Sequence, residues 1–171
     1  MSDVSAPVIL ARKSLEYYLL KGEIMSVPDN NDTVLLGTAG VFVSLKKNGD
    51  LRGCIGTFRP TQPTIAAEII QNAVSAGIDD PRFNPVSIHE LADLTITVDI
   101  LSLPEQVESL EELDPKKYGV IVCCGRRSGL LLPDLEGVNS IGEQVAIARQ
   151  KAGIGPGEEI ELYRFSVTRY K

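Results

Sequence analysis

Two β-favouring runs separated by Asn48-Gly49 constrain this chain more than any other feature. Val41-Phe42-Val43-Ser44-Leu45 is apolar and β-rich, and Leu51 to Phe58 reads as the returning strand. Asn-Gly suits the type I′ turn, whose two central residues both need positive φ. Simple alternation along the second strand places Leu51, Gly53 and Ile55 on one face and Arg52, Cys54 and Gly56 on the other. The first face is expected to pack, and the second to carry chemistry. A guanidinium two residues from a thiol favours the thiolate, and Gly53 and Gly56 would let a ligand or another backbone approach. The same residues also fit a half-buried strand in which Arg52 pairs with a carboxylate and Cys54 is a small core hydrophobe.

Before the hairpin, residues 5–22 carry Val8, Ala11, Leu15, Tyr18 and Leu19 at helical spacing, with Ser5 as a cap and Gly22 as the stop. Residues 23–39, with Pro28, Asp29, Asn30, Asn31 and Asp32, read as a loop. After the hairpin, Thr61 or Gln62 with Pro63 opens a helix through about Ala76, with an apolar stripe of Ile65, Ala66, Ile69, Ile70 and Ala73; Gly77 is expected to end it. Pro81 and Pro85 hold Asp80 and Asn84 toward extended geometry, so 78–85 is a shaped loop. Leu94 to Leu101 alternates as a strand covered on one face. Residues 103–116 hold five carboxylates among few apolar residues and read as an exposed connection with at most a short helical turn.

The second half echoes the first. Gly119-Val120-Ile121-Val122 resembles Gly40-Val41-Phe42-Val43 at an offset of 119 − 40 = 79, and Ala152-Gly153-Ile154 resembles Ala76-Gly77-Ile78 at 152 − 76 = 76. Between them, Ser140-Ile141-Gly142-Glu143 is a capping box opening a second helix, and Glu159 to Val167 closes the chain as a strand. The expected fold is therefore α+β. Within a single domain, two hairpin–helix–strand repeats, about 40–102 and 118–168, join into one curved mixed sheet with helices packed outside, leaving a cleft where the halves meet.

Composition narrows the function. A net charge of −6 argues against nucleic acid, because binding phosphate backbones needs a positive field. No apolar run reaches the length of a membrane span, and the first residues lack the order of a signal peptide, so a cytoplasmic protein is expected. Three cysteines (Cys54, Cys123, Cys124) in no disulfide-like spacing fit reduced thiols. Cys123 and Cys124 are adjacent on a strand and point to opposite faces, no spaced His/Cys set suggests zinc, and Gly125 to Gly129 is a hairpin turn, not a phosphate loop. No cofactor or metal is implied.

The segments Leu51-Arg52-Gly53-Cys54-Ile55-Gly56-Thr57, Asp80-Pro81-Arg82-Phe83, Tyr118-Gly119-Val120, Gly129 to Val138, Lys151-Ala152-Gly153-Ile154 and Tyr163-Arg164-Phe165 together resemble the AMMECR domain family, in its bacterial form, which takes its name from the AmmeMemoRadiSam system. The resemblance covers almost the whole chain. It implies an α+β domain of two structural repeats and genomic company with a Memo-like protein and a radical SAM enzyme. It brings no agreed reaction. The chain departs from eukaryotic and some archaeal members after Leu132-Pro133, where Asp134-Leu135-Glu136-Gly137 stands in place of a Trp-rich stretch.

Two functional readings remain. In the first, Cys54 is a nucleophile, Arg52 stabilises its thiolate or an anion, and Gly53, Gly56, Asp80 and Arg82 line a site for a small anionic ligand. The bland version of that cluster is an Asp80–Arg52 or Asp80–Arg82 pair that pins the loop to the strand. The only histidine, His89, reads as a surface residue. In the second reading the protein is a non-catalytic accessory of its Memo-like and radical SAM neighbours, with Gly129 to Val138 as one candidate contact segment.

Overall fold

The computed structural model describes residues 4–29 and 32–171. The loop reading at Asn30 and Asn31 lies outside them. By internal contacts the chain forms two units: one runs through Ile100 and takes in Thr168–Lys171, and the other is Leu101–Val167.

In the first unit, α1 (Ala6–Lys21) begins at Ser5 and stops at Gly22, whose φ of 72° is the left-handed geometry that glycine adopts at no steric cost. The hairpin β1 (Val41–Lys47) and β2 (Asp50–Thr57) turns at Asn48-Gly49, both at positive φ. Helix α2 (Ile65–Ile78) follows, capped by the Thr64 hydroxyl, and β3 (Leu94–Leu101) pairs antiparallel with β1. Gly77 does not end α2. It lies inside the helix because a side chain there would meet Leu15 of α1 at 2.6 Å, so its bare backbone lets the two helices close. Burial of Leu15, Val43, Leu45, Ile69 and Val98 forms the core of this unit, each side chain contributing about 1.5–3 kcal/mol.

The second unit contains β4 (Glu105–Val107), β5 (Gly119–Cys124), β6 (Arg127–Leu131), α3 (Ile141–Ala152) and β7 (Glu161–Phe165). Helix α3 carries the expected capping box at Ser140 and Glu143 and ends at Gly153. The acidic stretch after Leu103 is more than an exposed connection: β4 pairs with β7, and Val107 and Leu113 are buried. Isolated apolar residues amid carboxylates hid that strand, because three residues are too few to show a period.

The architecture is α+β with two four-stranded antiparallel sheets, ordered β2-β1-β3-β8, where β8 is Val167–Tyr170, and β4-β7-β5-β6. A single curved mixed sheet is not what forms. The closing strand expected over Glu159 to Val167 breaks at Ser166, and its continuation β8 (Val167–Tyr170) lies beside β3. There Arg169 makes a bidentate pair with Asp99, both contacts at 2.8 Å. This explains why Asp99, on the polar face of β3, is buried.

Glycine has a matching packing duty in both hairpins. A side chain at Gly53 would lie 2.1 Å from the carbonyl of Ala76 in α2, and one at Gly129 would lie 2.0 Å from the carbonyl of Ala148 in α3. Gly53→Ala is expected to destabilise the protein by about 1–3 kcal/mol, as overpacking of a close backbone contact does. Gly157→Ala, where nothing lies within 4 Å, is expected to change stability by less than ~0.5 kcal/mol. Urea titration of the two variants checks the contrast.

Candidate functional site

The β1–β2 register runs Val43↔Ile55, Ser44↔Cys54, Leu45↔Gly53 and then jumps to Lys46↔Leu51. Arg52 has no cross-strand partner and is the extra residue of a β-bulge. The bulge overturns the simple alternation: Leu51 lies opposite Lys46, on the face of Ser44 and Cys54, and Gly53 lies with Leu45 on the helix side.

Freed from the ladder, Arg52 engages the loop after α2. Its Nε and Nη2 donate to the two oxygens of Glu90 at 3.1 and 3.2 Å, and its Nη1 donates to the Asn84 carbonyl at 2.9 Å. Lys47 adds a contact to Glu90 at 3.2 Å. Glu90 also closes a capping box by accepting from the Ser87 amide at 3.0 Å. Arg52 therefore acts as a clamp on residues 84–90, with its hydrogen bonds directed to Glu90, Asn84 and Pro85 and away from Cys54.

The cation next to Cys54 is Arg82. Its Nη2 donates to the Cys54 carbonyl at 3.3 Å, while its Nε and Nη2 grip the Asp80 carboxylate at 3.0 and 2.8 Å. Asp80 in turn accepts from the Cys54 amide at 2.9 Å and the Arg82 amide at 3.1 Å. One buried carboxylate thus ties strand, loop and guanidinium together. The Arg82 side chain remains 56% exposed. The Cys54 thiol is half-buried, and Ser44 Oγ, 3.2 Å away, is its side-chain hydrogen-bond partner.

Gly53 and Gly56 are not open backbone. The Ala76 carbonyl fills the space beside the first, and the Phe42 ring would lie 2.2 Å from a side chain at the second. His89 is exposed. Among the described residues, no group of three or more His, Cys, Asp or Glu side chains could hold a metal ion.

The electrostatics follow from these contacts. The hydrogen bond from Arg82, helped by the amides of Cys54 and Arg82, holds the Asp80 carboxyl far below the usual range in spite of its desolvation. Hydrogen bonds from Arg52 first, then from Ser87 and Lys47, lower Glu90 to about 2. The hydrogen bond to Asp80, with the charges of Asp80 and Cys54 behind it, raises Arg82 above its ordinary value. The site is an arginine held by an ionised carboxylate, beside a half-buried thiol with a hydroxyl neighbour.

Sequence reasoning missed Glu90, Lys47 and Ser44. Ser87-x-x-Glu90 is a legible capping box. Ser44 was hidden, because counting back from the Asn48-Gly49 turn without a bulge pairs it with Gly53.

Both carboxyls have lowered folded-state values, so the stability they add is present above the ordinary values of 3.8 and 4.5 and is lost as pH falls below them. Amide protection in residues 80–90, taken relative to the intrinsic exchange rate at each pH, is expected to fall between about pH 4.5 and 2, ahead of that in the α2 core. Asp80→Asn is expected to cost about 1.5–3 kcal/mol in urea titration at pH 7, since it breaks hydrogen bonds to an ionised group.

The AMMECR1 family profile matches residues 8–170. A protein of Thermotoga maritima is 52% identical over 165 residues, covering 94% of each chain. Protein CA_C1420 of Clostridium acetobutylicum is 54% identical over 166 residues, which are 96% of this chain but 35% of that one, so this chain spans about a third of that relative. The crystal structure of the uncharacterised protein PH0010 from Pyrococcus horikoshii superposes with a TM-score of 0.88 at 33% identity, covering 95% of this chain and 88% of the other. The match over nearly the full length, in sequence and in fold, places this chain in the AMMECR1 family.

Proposed function

We propose that the Cys54–Arg82 surface of the first unit binds a small anionic molecule, with the Cys54 thiol as the group that grips or attacks it. The observation that carries this reading is the placement of Arg82: Asp80 and the Cys54 carbonyl hold its guanidinium, yet more than half of the side chain stays exposed. An arginine needed only as a pin would gain by being covered. In this reading Asp80 positions the cation, Arg52 and Glu90 hold the loop that carries Arg82, and Ser44 holds the thiol.

We further infer that the two units are copies of one ancestral hairpin–helix–strand. Strand order β2-β1-β3 matches β6-β5-β7. The Asn72 amide donates to the Val41 carbonyl as the Gln144 amide donates to the Tyr118 carbonyl, both at 2.9 Å. Aligning Gly53 with Gly129 sets Leu130 at the place of Cys54 and leaves Arg52 as an insertion. The thiol and the bulge would then be specialisations of the first copy.

The protein is proposed to work in the cytoplasm, where cysteine thiols such as its own three stay reduced, alongside Memo-like and radical SAM proteins. No helix among the described residues is long and apolar enough to cross a membrane. The second reading, a non-catalytic accessory of those partners, is favoured by the Clostridium relative, in which a domain like this one is part of a much longer chain.

Alkylation of Cys54, read by peptide mass spectrometry, tests the first reading. Anionic iodoacetate is expected to gain on neutral iodoacetamide in the native protein, and Arg82→Gln to reduce that ratio about 3–5-fold, which is the ~1 kcal/mol one charge is worth at ~4 Å in water. A Cys54 that resists both reagents until the protein unfolds would refute it. If co-purification with a Memo-like partner survives Cys54→Ala while metabolites stay unchanged, the accessory reading stands instead.

A further inference from the structure

Helix α1 buries one side and leaves large apolar residues among the charges of the other. Val8, Ala11, Leu15 and the small Ser14 face the core, whereas Ile9, Tyr17 and Leu20 are 41%, 38% and 62% exposed. At about 100° per residue, Ile9, Lys13, Glu16 and Leu20 share an arc of roughly 60°, with Tyr17 about 40° beyond it. Neither Lys13 nor Glu16 enters an ion pair among the described residues. A charged pair set between two large apolar side chains on an exposed helix face is more than scattered surface hydrophobicity.

We propose that this face docks on the same face of a second copy, in an antiparallel helix pair about a twofold axis passing between Ser14 and Leu15. The order of the residues carries the choice of occupant. The twofold sets Ile9 opposite Leu20 of the other copy and Lys13 opposite Glu16, and symmetry repeats both contacts. Apolar side chains thus meet at the two ends, and opposite charges meet on either side of the centre. A face shaped for an unrelated partner has no reason to be complementary to itself. A helix of 16 residues is about 24 Å long, so the interface is small and the dimer is expected to be weak, with a dissociation constant of about 10–100 μM.

Sedimentation equilibrium of the intact chain from ~5 to ~500 μM tests this. Wild type is expected to pass from monomer to dimer over that range. Lys13→Glu alone and Glu16→Lys alone each bring like charges face to face and are expected to weaken self-association at least ~10-fold. An equimolar mixture of the two variants makes both charged contacts opposite again and is expected to dimerise as tightly as wild type. Both positions are exposed, so unchanged circular dichroism and urea midpoints confirm folding. A monomer throughout, as expected if the face belongs to another protein or to further sequence in longer relatives, overturns the proposal. So does a dimer indifferent to both reversals, or a mixture that associates no better than its components.

Discussion

The site depends on how closely α2 lies against β2. The Ala76 carbonyl occupies the space that a side chain at Gly53 would take, so helix and strand meet backbone to backbone. That contact fixes where the chain emerges from the helix, and Asp80, two residues beyond Ile78, arrives within 2.9 Å of the Cys54 amide. Everything at the thiol follows from this delivery. The carboxylate satisfies a strand amide that has no neighbour to bond, and it organises the arginine two positions later.

The bulge at Arg52 does a second job of placement. An extra residue in one strand breaks the period of two and turns its side chain out of the ladder, and the local twist increases. Here the released guanidinium reaches Glu90 and the carbonyl of Asn84. Two ion pairs, Asp80–Arg82 and Arg52–Glu90, hold the two ends of one loop to one strand. Their contribution is energetic as well as positional, since Asp80 is buried and Arg52 and Glu90 are mostly covered, so losing one partner strands a desolvated charge.

In the second unit, Arg127 of β6 similarly pairs with Glu158 and donates to the Gly153 carbonyl at 2.8 Å, fastening the turn after α3. A strand arginine that clamps the segment after the helix is thus a device found in both units. The second hairpin has no register shift, and it carries no thiol next to its packed glycine. Arg127 nonetheless donates to Cys124 Sγ at 3.5 Å, so a carboxylate-held arginine beside a thiol is present in this unit too.

How much of this was written in the chain depends on the range of the forces involved. Local chemistry determined the C-terminal end of α1, both ends of α3, the Asn48-Gly49 turn and the span of β3, because caps, positive φ and a period of two act over a few residues, whereas the Ser5 side chain makes no capping hydrogen bond at the start of α1. The sequence offered Arg52, Cys54, Asp80 and Arg82 as candidates; the fold joins Asp80 and Arg82 to Cys54 and turns Arg52 to Glu90. Which arginine stands by the thiol was decided only in three dimensions. A bulge leaves no mark in alternation, and a salt bridge between Arg52 and Glu90 spans 38 positions that no local rule connects. The division into two sheets, with the last strand beside β3, likewise rests on a non-local pair, Arg169 with Asp99, whose energy exists only once the strands have met.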